Sequence, residues 1–211
     1  MFNNYIIIVR LYVLSIILLI SSCSSIMIEE DNKYNKNKLI EQIMSIDATY
    51  NTLDSLLYVD IEKQNMYFLK KGTIINDYPI SSSSYGTGSR ENSFQTPLGK
   101  HQIYMKIGKT LPINAILKGR VWNGSIANVV SEDIDTEFDH VTSRILWLDG
   151  LEPGLNKGPG VDSKSRYIYI HGTAEEGLIG KPASDGCIRM YNKDVIELFN
   201  SVDEGSQVWI Y

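Results

Sequence analysis

The chain reads as a mostly-β (α+β) domain with one or two short helices, placed behind an N-terminal leader. Three observations predict this. From Leu56 onward, short apolar or aromatic runs alternate with polar turns. Apolar residues recur at helical spacing only around 39–46 and 195–202. The chain also opens on a short apolar run behind a positive charge, a pattern of targeting rather than of fold.

Ile6 to Ile20 is apolar except for Arg10 and Ser15, and Arg10 precedes the run Leu11-Tyr-Val-Leu-Ser-Ile-Ile-Leu-Leu-Ile20. A positive start and a short apolar core predict a secretory signal over residues 1–22. The run is short of the roughly 20 residues that a comfortable membrane crossing needs. An uncleaved membrane anchor is the alternative reading. Ile20-Ser21-Ser22-Cys23 resembles a bacterial lipobox, in which the cysteine is acylated and becomes the new N-terminus. That resemblance implies a periplasmic, lipid-anchored protein. Ser24 is compatible with transfer to the outer membrane rather than retention at the inner one. Several acyl chains on Cys23 would anchor stably where one binds only marginally.

Residues 23–54 are expected to form a tether and a short helix. Residues 24–38 are mostly polar, and Leu39, Ile40, Ile43, Met44 and Ile46 have roughly helical spacing. The main domain is expected over 55–211. Leu56–Ile61, Met66–Leu69 and Thr73–Ile75, separated by polar turns, predict a β-meander. Ser81–Ser93, rich in Ser and Gly, predicts a mobile loop. Strands are expected at His101–Ile107, Arg144–Leu148 and Arg166–His171, whereas Gly108–His140 resists assignment. Asn192 is placed to cap a helix carrying Val195, Ile196, Leu198, Phe199 and Val202. Gly205 marks its exit, and Gln207–Ile210 predicts a last strand.

The net charge of −5 argues against a nucleic-acid partner, which needs clustered Lys and Arg. The chain has two cysteines. If Cys23 is lipidated, Cys187 has no intramolecular partner. A lone thiol in an oxidising compartment is either reactive or buried and inert.

Arg166-Tyr-Ile-Tyr-Ile-His171 ends a strand-like run in a histidine, and the thiol follows sixteen residues later in Ser184-Asp-Gly-Cys-Ile-Arg-Met190. Gly186 permits a tight turn and close approach of a substrate backbone. Backbone N–H groups of Gly186 and Cys187 can then form an oxyanion hole. A nearby imidazole can share a proton with the thiol and activate it. Each signal alone is weak, because a single His or Cys is more often structural.

Together they resemble the YkuD-type L,D-transpeptidases, whose signature is a histidine, a spacer, then Ser-His-Gly-Cys, an apolar residue and Arg or Asn. His171-Gly-Thr173, Ile179-Gly-Lys-Pro-Ala-Ser-Asp-Gly-Cys-Ile-Arg-Met190 and Asn192-Lys-Asp-Val-Ile-Glu-Leu-Phe199 carry the resemblance. Upstream, Val59-Asp60, Tyr78-Pro-Ile-Ser81 and Thr96-Pro-Leu-Gly99 look like the family's opening hairpins and its Thr-Pro-x-Gly turn. The resemblance implies a β-sandwich-like catalytic domain that acts on peptidoglycan stem peptides without metal or cofactor. It implies Cys187 as nucleophile and His171 as general base. The acceptor is another stem, a lysine of an acceptor protein, or water. A hydrolase releasing wall-bound protein, and a non-catalytic wall-binding lipoprotein, are the rival readings.

The departure is Asp185, where the family usually has a second histidine. A carboxylate there would raise the thiol pKa by like-charge repulsion, orient His171, or pair with Arg189. Arg189 is expected to bind a stem carboxylate bidentately. Ser184, Gly172, Thr173 and Asp185 complete the candidate substrate-binding set, Ser184 and Thr173 by holding the motif backbone. His101 and His140 read as solvated or structural. His140 with Asp135, Glu137 and Asp139 fits no standard metal-ligand spacing.

Overall fold

The computed structural model describes residues 35–137 and 139–211. The signal segment 1–22, Cys23 and the tether up to residue 34 lie outside the described residues. The chain divides near Thr49 into two units. In the first, helix α1 spans 35–46, with Leu39 and Ile43 four apart on one face, as their spacing predicts. Among the described residues no helix is long and apolar enough to cross a membrane.

The second unit begins with the expected meander, β1 (Leu56–Asp60), β2 (Asn65–Lys70) and β3 (Thr73–Ser81). Lys71 (φ 46°) and Gly72 (φ 76°) form the two-residue turn between β2 and β3. Left-handed backbone at both positions matches the natural strand twist. There follow β4 (Gly99–Ile107), β5 (Ala115–Lys118), β6 (Val121–Ile126), β7 (Val141–Gly150), β8 (Tyr169–Thr173), β9 (Ile188–Met190), helix α2 (Asn192–Ser201) and β10 (Gln207–Ile210).

The strands pair in the order β4-β10-β1-β2-β3-β9-β8-β7-β5-β6, and β4 also pairs with β7. Eight strands therefore close on themselves, with the β5–β6 hairpin attached outside. The expected sandwich-like outline is one sheet curled until its edges meet. Closure removes unpaired strand edges. Leu57, Val59, Phe68, Ile103, Leu146 and Ile170 belong to the main apolar core. Helix α2 adds Val195, Leu198, Phe199 and the following Val202 to that core, at i, i+3, i+4 and i+7. A second, smaller cluster gathers Leu117, Ile145 and Tyr169, with Trp147 and Cys187 packed against it.

Three local expectations need correction. Strand β8 starts at Tyr169 rather than Arg166, because Tyr167 is in the left-handed region (φ 58°) within a turn. The Ser-rich loop is anchored at its start, with residues 84–87 and 90–92 exposed. Ser81, Ser82 and Ser83 are buried, and the Ser83 hydroxyl donates to the Phe94 carbonyl at 2.5 Å. Asn192 does not cap α2 but is its first residue, after Tyr191. Its amide is buried and better used elsewhere. It donates to Thr173 O (2.7 Å) and Glu176 Oε1 (2.8 Å), and accepts from the hydroxyls of Thr142 and Ser143 at 2.6 Å each.

Candidate active site

Strands β8 and β9 run parallel with Ile170 opposite Ile188, His171 opposite Arg189 and Gly172 opposite Met190. Side chains alternate along a strand. Ile170, Ile188 and Met190 face the main core, so Tyr169, His171 and Arg189 face the other way. Continuing the register by one residue places Cys187 beside Tyr169, whose N–H donates to Sγ at 3.4 Å. Sulfur and imidazole thus share the outer face of two adjacent strands, as diagonal neighbours.

The turn carrying the sulfur is closely built. Gly186 has φ 114°, and a Cβ there would sit 3.3 Å from the carbonyl oxygens of both Phe94 and Gln95. The buried Ser184 hydroxyl donates to Cys187 O (2.6 Å) and accepts from the Gly186 N–H (3.2 Å). Thr96, of the Thr-Pro-x-Gly turn, donates its hydroxyl to Gly186 O at 3.1 Å. Arg166 donates to the carbonyls of Gly88 (3.2 Å) and Gln95 (2.7 Å), bracing the loop that backs this turn.

The His171 ring is buried, with Nδ1 2.7 Å from Gly172 O. A carbonyl only accepts, so Nδ1 carries the proton and Nε2 is the basic nitrogen. Burial lowers the imidazole pKa, with Asp139 and the Gly172 carbonyl opposing and Arg189 reinforcing. Burial pushes the Cys187 thiol up to about 12, with Asp139 adding, while the Tyr169 N–H, Arg189 and Arg166 oppose. The thiol points its S–H at Tyr167 O, 3.5 Å away. Both shifts favour the uncharged pair, thiol and neutral imidazole, over thiolate and imidazolium.

Arg189 departs from the sequence expectation. Its guanidinium is 2% exposed and closed by two carboxylates, Glu175 at 2.9 Å and Asp139 at 2.7 Å. It holds the scaffold together instead of presenting a charge to a ligand. Glu175 also accepts from the Thr136 N–H and hydroxyl, at 2.6 Å each, tying the segment before Asp139 to the site. Asp185 neither pairs with Arg189 nor orients His171. It is exposed and lines a groove with Glu91, Asn92, Phe94, Ser165, Arg166 and Tyr167. The carboxylate that raises the thiol is Asp139. Ser184, Gly172 and Thr173 are buried and serve backbone geometry. Thr173 Oγ1 accepts from the Glu175 N–H at 3.0 Å, and a Cβ at Gly172 would meet Asn192 Oδ1 at 2.6 Å.

Away from the sulfur, His101 is buried, bonded to Gly99 O at 3.0 Å and Ser163 Oγ at 2.9 Å. It is a structural histidine, one of the two roles its sequence context allowed. Asp139, Glu175, Arg166 and Tyr169 carry no local pattern that marks them for this site. In sequence, Asp139 stands out only beside Asp135, Glu137 and His140, whose spacing fits no standard metal site.

Residues 54–210 match the family model of the YkuD L,D-transpeptidase catalytic domain. The chain is 56% identical over 48 residues to YkuD of Bacillus subtilis, covering 23% of this chain and 29% of that protein. It is 44% identical over 54 residues to YqjB of the same organism, covering 24% and 31%. These matched segments span less than a third of either relative. An L,D-transpeptidase structure from Mycobacterium smegmatis aligns with a TM-score of 0.44 and 15% identity, over 75% of this chain and 58% of that one. The family match runs from the first strand of the closed sheet to the last, and the chain belongs to the YkuD family, with an L,D-transpeptidase catalytic domain.

Proposed function

We propose that this domain is a peptidoglycan L,D-transpeptidase working through Cys187 and His171. The observation that carries the reading is the 2.7 Å approach of His171 Nδ1 to the Gly172 carbonyl. The Gly172 carbonyl holds the proton on Nδ1 at 2.7 Å and leaves Nε2 to act as base on the face that also carries the thiol.

The substrate is a tetrapeptide stem. Sγ attacks the carbonyl of its third residue, a diaminopimelate, as the thiol proton passes to Nε2 of His171. A neutral pair suits this, because the thiolate forms only as it is consumed. With the Gly186 N–H directed at Ser184, the developing oxyanion falls to the N–H of Cys187. Collapse expels D-alanine, whose amine takes the proton from His171. The thioester on Cys187 is then attacked by an amine of another stem, giving a cross-link, or by a lysine of an acceptor protein; the C–S bond breaks, and the amine's proton passes through His171 to the departing sulfur. Water in that place gives L,D-carboxypeptidase activity.

Incubating the protein with a disaccharide-tetrapeptide and reading products by mass spectrometry tests this. Cross-linked dimers or acceptor adducts, with a Cys187 thioester, support the transpeptidase. A tripeptide alone makes it a carboxypeptidase. No product and no thioester leaves only a wall-binding module. We further propose that Cys23 is the lipid-anchored N-terminus of a periplasmic protein. The mass of the mature N-terminal peptide checks it, and an unmodified Cys23 refutes it.

A further inference from the structure

Among the described residues, the cation at the tip of the outer hairpin has no carboxylate partner. Arg120 sits at the tip of the β5–β6 hairpin, where Gly119 (φ 57°) and Arg120 (φ 68°) form the two-residue turn. The turn lays the guanidinium over an aromatic shelf. Its Cζ lies 4.7 Å from the Trp147 ring centroid and 4.9 Å from that of Tyr167. Its Nη1 donates to the Tyr169 hydroxyl at 3.1 Å. The same two tyrosines bracket the sulfur through their backbones, Tyr169 by its N–H and Tyr167 by its carbonyl. The guanidinium therefore stands one tyrosine side chain away from the nucleophile. At the other end of the shelf, Lys164 Nζ lies 4.2 Å from the ring centroid of Tyr104, which packs edge-on against Trp147.

Among the described residues, neither Arg120 nor Lys164 is paired with a carboxylate. Arg189, the arginine nearer the sulfur in sequence, is closed by Glu175 and Asp139. Arg166 is likewise without an ion pair among the described residues, but its guanidinium donates to the carbonyls of Gly88 and Gln95, so the charge left open to an anionic ligand is on the hairpin. A guanidinium has five N–H donors in a fork suited to a carboxylate, and here Nη1 is engaged by the Tyr169 hydroxyl. Stacking on Trp147 and Tyr167 orients the fork before a ligand arrives, which reduces the ordering cost of binding.

We infer that Arg120, on its aromatic shelf with Lys164 at the far edge, is the subsite for a free carboxylate of the acyl-donor peptide. This rests on the reading of the domain as an enzyme of peptidoglycan stems. The diaminopimelate side chain carries such a carboxylate beyond the carbonyl under attack.

The test uses the full chain carrying Cys187→Ala, which binds without turnover. Calorimetry compares a tetrapeptide stem bearing the free diaminopimelate side-chain carboxylate with the same stem amidated there. The free acid is expected to bind about tenfold more tightly. Adding Arg120→Gln should bring it down to the level of the amide, and Arg120→Lys should restore part of the difference. Equal affinity for the two stems, an Arg120→Gln loss shared by both, or no binding of either overturns the subsite. Thioester formation by the wild-type chain is read separately by intact mass. An adduct without acid–amide discrimination sinks the subsite alone. Discrimination without an adduct sinks the enzyme reading alone.

Discussion

Asp139 meets Arg189 at 2.7 Å, and from that position it raises the pKa of both the Cys187 thiol and the His171 imidazole. A residue 48 positions before Cys187 thus helps set the protonation of its thiol. Replacing Asp139 with Asn removes a negative charge while keeping the shape. The pH profile of iodoacetamide alkylation at Cys187 should then move to lower pH. An unchanged or upward-moving profile would contradict the assignment.

Arg189→Met tests the buried cluster. It leaves Glu175, 1% exposed, with a carboxylate facing no cation. Breaking a buried pair from one side costs about 3–5 kcal/mol. Urea unfolding should show a loss of that size. A change under about 1 kcal/mol would mean that Glu175 is held by its Thr136 bonds alone.

The two buried histidines give different pH signatures. Burial lowers the His171 pKa, so the neutral, basic ring persists below the ordinary histidine value of 6.5. The acid limb of kcat/KM should accordingly lie below pH 6.5, and a limb above it would exclude His171 as the base.

His101 falls from 6.5 to about 4, which makes it a stability sensor. Its folded value is below its unfolded one, so the unfolded chain takes the proton first as pH falls. Stability is intact above pH 6.5 and is lost towards pH 4, by up to about 3 kcal/mol. Urea midpoints measured across that range should fall in the wild type and fall less in His101→Gln. Equal slopes would assign the loss to other groups.

Gly186→Ala places a Cβ 3.3 Å from two carbonyl oxygens in a residue with φ 114°. The strain is worth about 1–3 kcal/mol. A sulfur displaced by about 1 Å costs roughly a hundredfold in turnover. Both a lower melting temperature and a lower kcat are expected. Wild-type kcat in the variant would show that the turn does not position the sulfur.

Much of the fold was legible because its signals are local. The meander of β1 to β3 and the strand Gln207–Ile210 follow from two-residue alternation and turn residues, and α2 from its 3.6-residue spacing. The Gly108–His140 stretch was not legible. Its hairpin is short, β6 is exposed along its whole length, and no apolar period marks it.

His171, Gly186 and Cys187 were singled out from the sequence because their order, spacing and flanks together resemble one family's motif, each signal being weak alone. Which charges face them was decided only on folding. Arg189 was assigned a ligand's carboxylate and received Glu175 and Asp139 instead, 14 and 50 positions away. Arg120 reached the shelf beside the sulfur from a hairpin 67 residues upstream. Covalent neighbours restrict what a backbone can do locally. Electrostatic partners are set by which strands pair, and that pairing depends on the whole chain closing its sheet.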